Sequence, residues 1–137
     1  MILYNHTAKE SLMLFRSFVA AVLLLVASAT SCLAYSDEIE WLRNKSFKAC
    51  PKYYVWRLID NYFPDARWDS GWSDEGDYIV NVRGKMSFKG QNVKALLQFT
   101  IDPQRGKFDM NALEFNGQPQ SKEMRVELIK AMCEDVQ

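Results

Sequence analysis

The sequence predicts an α+β domain. A three- to four-stranded antiparallel meander is flanked by an N-terminal and a C-terminal helix, both packed on one sheet face. Three observations predict it. Residues 78–88 and 93–102 alternate apolar and polar side chains with a period of two, and Lys89-Gly90-Gln91-Asn92 joins them as a hairpin turn. Residues 51–62 and 122–133 instead repeat apolar residues at three- and four-residue spacing. Cys50 and Cys133 mark the two ends of this span.

The elements follow in order. Pro51 suits the first turn of a helix in which Tyr54, Val55, Leu58, Ile59 and Tyr62 form one apolar face, with Arg57, Asp60 and Asn61 on the other. Pro64 ends it. Ala66 to Trp72 reads as a short strand with Trp68, Ser70 and Trp72 on one side, and Ser73-Asp74-Glu75-Gly76-Asp77 as a turn. Tyr78 to Phe88 directs Val80, Val82, Gly84 and Met86 to one face and Asn81, Arg83 and Lys85 to the other. In Val93 to Asp102, Val93, Ala95, Leu97, Phe99 and Ile101 point inward, while Lys94, Gln98 and Thr100 point outward. One face therefore meets a core and the other meets water.

After the turn Pro103-Gln104-Arg105-Gly106, residues 107–115 break the alternation. Phe108, Met110 and Ala112 share a face, whereas Leu113 and Phe115 fall on the opposite one, and a bulge near Asn111 restores the pattern. Asn116-Gly117 is a tight turn. Ser121 caps the last helix, whose apolar stripe is Met124, Leu128, Ile129, Met132 and Cys133.

Ahead of this domain, residues 1–34 read as a signal peptide. Phe18 to Ala27 is an apolar run of ten, too short for comfortable membrane crossing, with Arg16 before it and small residues up to Ala34 after it. Cleavage is expected after Ala34, and Met13 makes a more typical start than Met1. An uncleaved anchor is the alternative. Ala29-Thr30-Ser31-Cys32 also resembles a lipoprotein cleavage site, which would make Cys32 the lipid-bearing residue. Residues 35–50 are set apart as an N-terminal leader, in which Asp37 and Glu40 either cap a short helix or leave the segment flexible. The domain proper is 51–137.

Charge and composition narrow the chemistry. Removing Lys9, Arg16 and Glu10 from the 17 basic and 17 acidic residues leaves 15 against 16 in residues 35–137. Such a balance argues against nucleic acid, which needs a basic field, and leaves membrane association to a lipid anchor alone. The single histidine, His6, lies in the signal segment. Residues 35–137 thus have no imidazole for a Ser-His-Asp or Cys-His mechanism, and only two cysteines toward a zinc site. No metal or cofactor is expected. In an exported domain Cys50 and Cys133 most simply pair, and two buried free thiols are the alternative.

Ala66-Arg67-Trp68, Val82-Arg83-Gly84 with Gln98-Phe99, and above all the run Phe108 to Gln120 (FDMNALEFNGQPQ) carry a resemblance. Over Cys50 to Cys133 the chain resembles a small bacterial exported domain family, periplasmic or lipoprotein-type, of uncharacterised function. The resemblance implies a compact extracytoplasmic domain behind a signal or an anchor. It brings no catalytic residues.

The candidate surface consists of Trp68, Trp72, Arg83, Lys85, Lys94 and Gln98. The two indoles are either a stacking platform or a cap on the core beside Tyr54 and Phe63. The polar residues decorate the open sheet face, which is either solvated or a docking surface. The acidic run Asp65 to Asp77 departs from a calcium-loop spacing and reads as a solvated turn. The expected function is a non-enzymatic binding domain of the bacterial cell envelope, engaging another envelope or secreted protein. One alternative is an inhibitor or immunity-type protein against a secreted hydrolase. A second is a small hydrolase using Asp69, Asp74, Glu75 and Asp77.

Overall fold

The computed structural model describes residues 34–137. The expected signal segment, apart from Ala34, and Cys32 lie outside the described residues. Tyr35 to Gln137 forms one compact unit. Its chain order is α1 (Asp37–Arg43), α2 (Val55–Tyr62), β1 (Arg67–Trp72), β2 (Tyr78–Phe88), β3 (Gln91–Asp102), β4 (Lys107–Phe115), β5 (Gln118–Pro119) and α3 (Lys122–Asp135).

The five strands form one antiparallel sheet in sequence order, β1-β2-β3-β4-β5. A meander needs only hairpin connections, and the turn chemistry supplies them. Lys89-Gly90 and Asn116-Gly117 each form a two-residue loop with both residues at positive φ, the arrangement that matches the twist of paired strands. The three to four expected strands become five, the last because the chain leaving Asn116-Gly117 pairs briefly with β4, through Glu114↔Pro119 and Phe115↔Gln118.

The face switch on β4 is resolved by a bulge. Gln98 pairs with Ala112 and Phe99 with Met110, which leaves Asn111 without a partner on β3. Beyond it Leu113 and Phe115 join Met110 in the core. Ala112, expected beside Met110, is turned to the other face opposite Gln98.

The core lies between this sheet face and the helices. Val80, Val82, Leu97, Phe99 and Leu113 meet Val55, Leu58, Ile59 and Phe63 from around α2, and Leu128 and Met132 from α3. Gly84 sits directly under Phe63, and a Cβ there would lie 2.9 Å from the Phe63 side chain. The absence of a side chain at residue 84 is what lets the Phe63 ring seat on β2.

Three parts of the helical layer differ from the expectation. The segment 35–50, set apart as a leader, is part of the packed unit. Ser36 Oγ accepts from the Ile39 amide at 3.4 Å, so Ser36 rather than Asp37 caps α1, and Ile39, Leu42 and Phe47 are buried. Helix α2 begins at Val55, not Pro51. Cys50 to Tyr53 is spent in turns, and the Val55 amide, which lacks an intrahelical acceptor, donates to Lys45 O at 2.7 Å. Tyr54, placed on the apolar face by spacing, precedes the helix and is exposed. Asp60, expected to face water, turns instead toward α1 and β1.

Cys50 and Cys133 are bonded, with 5.9 Å between their Cα atoms. The bridge ties the turn before α2 to α3 and so fastens the helical layer at its rear. Closing a loop of 83 residues removes chain entropy from the unfolded state worth about 4 kcal/mol. A disulfide-bonded α+β domain fits an oxidising, extracytoplasmic location.

Candidate functional site

The residues singled out from sequence separate onto two faces. Trp68 is opposite Val82, and Trp72 is opposite Tyr78, so both indoles belong to the helix side of the sheet. Arg83, Lys85, Lys94 and Gln98 are on the open side.

Trp68 is half-buried and held from three directions. Its Nε1 donates to Asp60 Oδ1 at 3.2 Å, while Asp60 Oδ2 accepts from Arg43 Nη2 at 3.1 Å. The Arg43 guanidinium in turn lies 4.9 Å from the Trp68 ring and 4.5 Å from the Tyr35 ring. Arg43 therefore joins α1, α2 and β1 in one half-buried cation–π and ion-pair cluster. Trp68 is a structural anchor of that cluster. Sequence spacing gave no signal for it, because it is assembled from residues 35, 43, 60 and 68.

Trp72 has a different fate. It ends β1, is 71% exposed, and meets Tyr78 edge to face at 4.8 Å between ring centroids. Tyr78 is itself fixed by donation of its hydroxyl to Ser70 Oγ at 3.2 Å. The adjoining loop is a tight turn, with Ser73 N donating to Asp77 O at 2.8 Å and Asp77 N to Ser73 Oγ at 3.0 Å. Asp74, Glu75 and Asp77 are exposed on it. Among the described residues, no group of three His, Cys, Asp or Glu side chains is arranged to hold a metal ion.

The open face is a ladder of cross-strand pairs. Arg67, Arg83, Leu96 and Glu114 form one row across four strands, and Asp69, Asn81, Gln98 and Ala112 form the next. Asp69 is ion-paired with Arg83. Asn81 donates to Asp69 Oδ1 at 3.1 Å, and Gln98 donates to Asn81 Oδ1 at 3.1 Å. Lys85 and Lys94 stand directly opposite each other, a like-charge pair that costs stability. Four cations, Arg67, Arg83, Lys85 and Lys94, thus gather at one end of the face, with Glu114 in the row of Arg67 and Arg83 and Asp69 in the next row as counter-charges. Leu96, in the row of Arg67 and Arg83, is half-buried; Ala112 stands one row further along, and Ile79 two rows from Leu96 with Asn81 and Gln98 between them.

Sequence reading found Arg83, Lys85, Lys94 and Gln98 by alternation alone. It missed Arg67, Asn81 as the link between Asp69 and Gln98, and Leu96. Leu96 and Ile79 were visible as apolar residues at outward positions. Arg67 required the β1–β2 register, which sequence does not carry. Of the carboxylates proposed for hydrolysis, Asp69 is on the open face and bound to Arg83 and Asn81, whereas Asp74, Glu75 and Asp77 belong to the loop.

One group in the described residues has a shifted acidity. Tyr62 is raised above its ordinary value, first by burial and then by the nearby Asp135 carboxylate. It belongs to the α2–α3 contact, where Asn61 Nδ2 also donates to Asp135 Oδ2 at 2.8 Å. It is not near the open face. Comparison of the chain with protein-family models, with curated proteins and with solved structures finds no match in any of the three.

Proposed function

We propose that this chain is a non-enzymatic binding domain of the bacterial cell envelope that engages an acidic surface of another envelope or secreted protein through its open sheet face. The observation that carries this reading is the composition of that face. Half-buried Leu96 among four cations gives the mixture of apolar and charged surface found in protein interfaces. Lys85 opposite Lys94 costs stability in the free domain, and an acidic partner would relieve that repulsion. The ladder Asp69–Asn81–Gln98 holds the strands' polar side chains in place before binding, which lowers the ordering cost.

The test is site-directed photo-cross-linking in the host from position 96, replacing Leu96. A discrete adduct is expected, and it should disappear when Arg83→Glu and Lys94→Glu are combined. No adduct, or one indifferent to both charge reversals, would end this reading.

A second reading has its own observation. Trp72, exposed at the end of β1 and braced by Tyr78, is a rigid aromatic beside a tight loop, the form of an anchor that enters a partner's pocket. This is the inhibitor or immunity-type alternative. Suppression of lysozyme or amidase activity by the purified protein, lost in Trp72→Ala, supports it, and full enzyme activity at saturating domain counts it out.

A further inference from the structure

The two edges of the sheet are finished differently. The far edge is closed piece by piece. β5 pairs with Glu114 and Phe115, Gln120 N donates to Leu113 O at 2.8 Å, and Arg125 Nη1 donates to Asn111 O at 2.7 Å. β5 itself is two residues long and ends in Pro119, which has no amide to offer.

β1 has none of these devices. It is the terminal strand and pairs with β2 alone, from Arg67↔Arg83 to Trp72↔Tyr78, without a bulge. It holds no proline and no lysine, and none of its six residues is buried. Its two charges are of opposite sign, and Asp69 is neutralised by Arg83. Alternate residues of an antiparallel edge strand aim N–H and C=O groups away from the sheet. Among the described residues, nothing takes those groups from β1. α1 packs on its helix side, where Ser36 meets Ser70 hydroxyl to hydroxyl at 3.1 Å and leaves the backbone free.

The side chains of β1 are complementary to a second β1. A two-fold axis through Ser70, perpendicular to the sheet, sets two such strands antiparallel over their whole length. Trp68 then faces Trp72 of the other copy, Asp69 faces Gly71, and Ser70 faces itself. Trp72, 71% exposed in the single chain, gains an aromatic neighbour across the strands. Gly71 has open space where a side chain would stand, which leaves room for the Asp69–Arg83 pair of the other copy. No charge directly opposes its like. An axis one residue away, through Asp69, would set two carboxylates face to face.

We infer that β1 pairs with β1 of a second copy of this chain, antiparallel about Ser70, so that two sheets join edge to edge with their open faces on the same side. The contact is made by the backbone of the edge, and it does not rest on the reading of the open face.

The experiment is sedimentation velocity of the purified protein between micromolar and millimolar concentration, with amide hydrogen exchange on the same samples. A reversible monomer–dimer equilibrium is expected, with slower exchange within residues 68–72 as dimer accumulates. Residue 71 reads the register. Gly71→Asp sets a carboxylate against Asp69 at two symmetric places and should weaken the dimer about tenfold, whereas Gly71→Lys sets an ammonium there and should tighten it by a similar factor. Both side chains enter open space, so exchange at Val82 and Leu97 in the core should stay as in the wild type. A monomer at every concentration, a dimer that both substitutions weaken alike, or a dimer whose added protection lies outside β1 would each overturn the inference.

Discussion

The two faces of this sheet are made by the same strands, residue alternating with residue, yet they are built to different rules. Leu97 and Gln98 are neighbours on β3. Leu97 is wholly buried under the helices, and Gln98 bonds sideways to Asn81 on the open side. On the helix side, shape decides: Phe63 fits only because residue 84 has no side chain. On the open side, charge and hydrogen bonding decide, and the face retains a like-charge pair, Lys85 and Lys94, that folding alone would not favour. The covered face spends its residues on stability, and the open face keeps a like-charge pair that stability does not account for.

The largest expected effect tests what holds the covered side together. Replacing Cys50 and Cys133 by serine removes the tie between the turn before α2 and α3, and should cost about 4 kcal/mol in denaturant unfolding. A loss below about 1 kcal/mol would mean that packing alone fixes the helical layer. Next, Leu97→Ala should cost about 3 kcal/mol, and the adjacent Gln98→Ala less than about 1 kcal/mol. Equal losses at these neighbours would erase the distinction between the faces.

Gly84→Ala is smaller but sharper, since one methyl group is brought against Phe63. A loss of about 2 kcal/mol is expected by thermal or chemical unfolding. The reverse sign is expected on the open side. Lys94→Glu should stabilise the fold by about 0.5 kcal/mol by giving Lys85 an opposite charge across the strands. The same change should weaken partner capture, and a variant both more stable and fully competent would detach the cation cluster from binding.

The smallest effect concerns Tyr62. Its raised pKa means that the folded state holds the phenol proton more tightly than the unfolded state. The contribution is present in full below the ordinary tyrosine value of 10.0 and is lost as pH rises through the higher folded value. Unfolding titrations across this window should show the decline in the wild type and a flatter profile in Tyr62→Phe.

Much of the sheet was legible because β2 and β3 each have one wet and one dry face, a condition that writes itself into alternate residues. The bulge at Asn111 was legible for the same reason: Met110 and Leu113 both need the core, and only an extra residue puts them there. The N-terminal region was less readable. A seven-residue helix leaves few turns of periodicity, and the burial of Ile39 and Leu42 depends on docking against α2 and β1 rather than on local pattern. Pro51 gave a helix-start signal of the ordinary kind, but the chain uses it in a turn. The fates of Trp68 and Trp72, identical by spacing, diverge because Asp60 and Arg43 reach the first and not the second.

The order in which the chain is made has a bearing on its bridge. Cys50 leaves the ribosome or a translocation channel ahead of every strand, and its partner arrives only after the whole sheet has followed. For the span of 83 residues the earlier sulfur waits for Cys133. Its thiolate can meanwhile attack a small disulfide or an oxidoreductase disulfide, forming a mixed disulfide and releasing the other sulfur as a thiol. Closure of the Cys50–Cys133 bond therefore has to wait until the whole sheet has been synthesised, and a mixed disulfide on Cys50 is the species a thiol-trapping pulse during synthesis should collect.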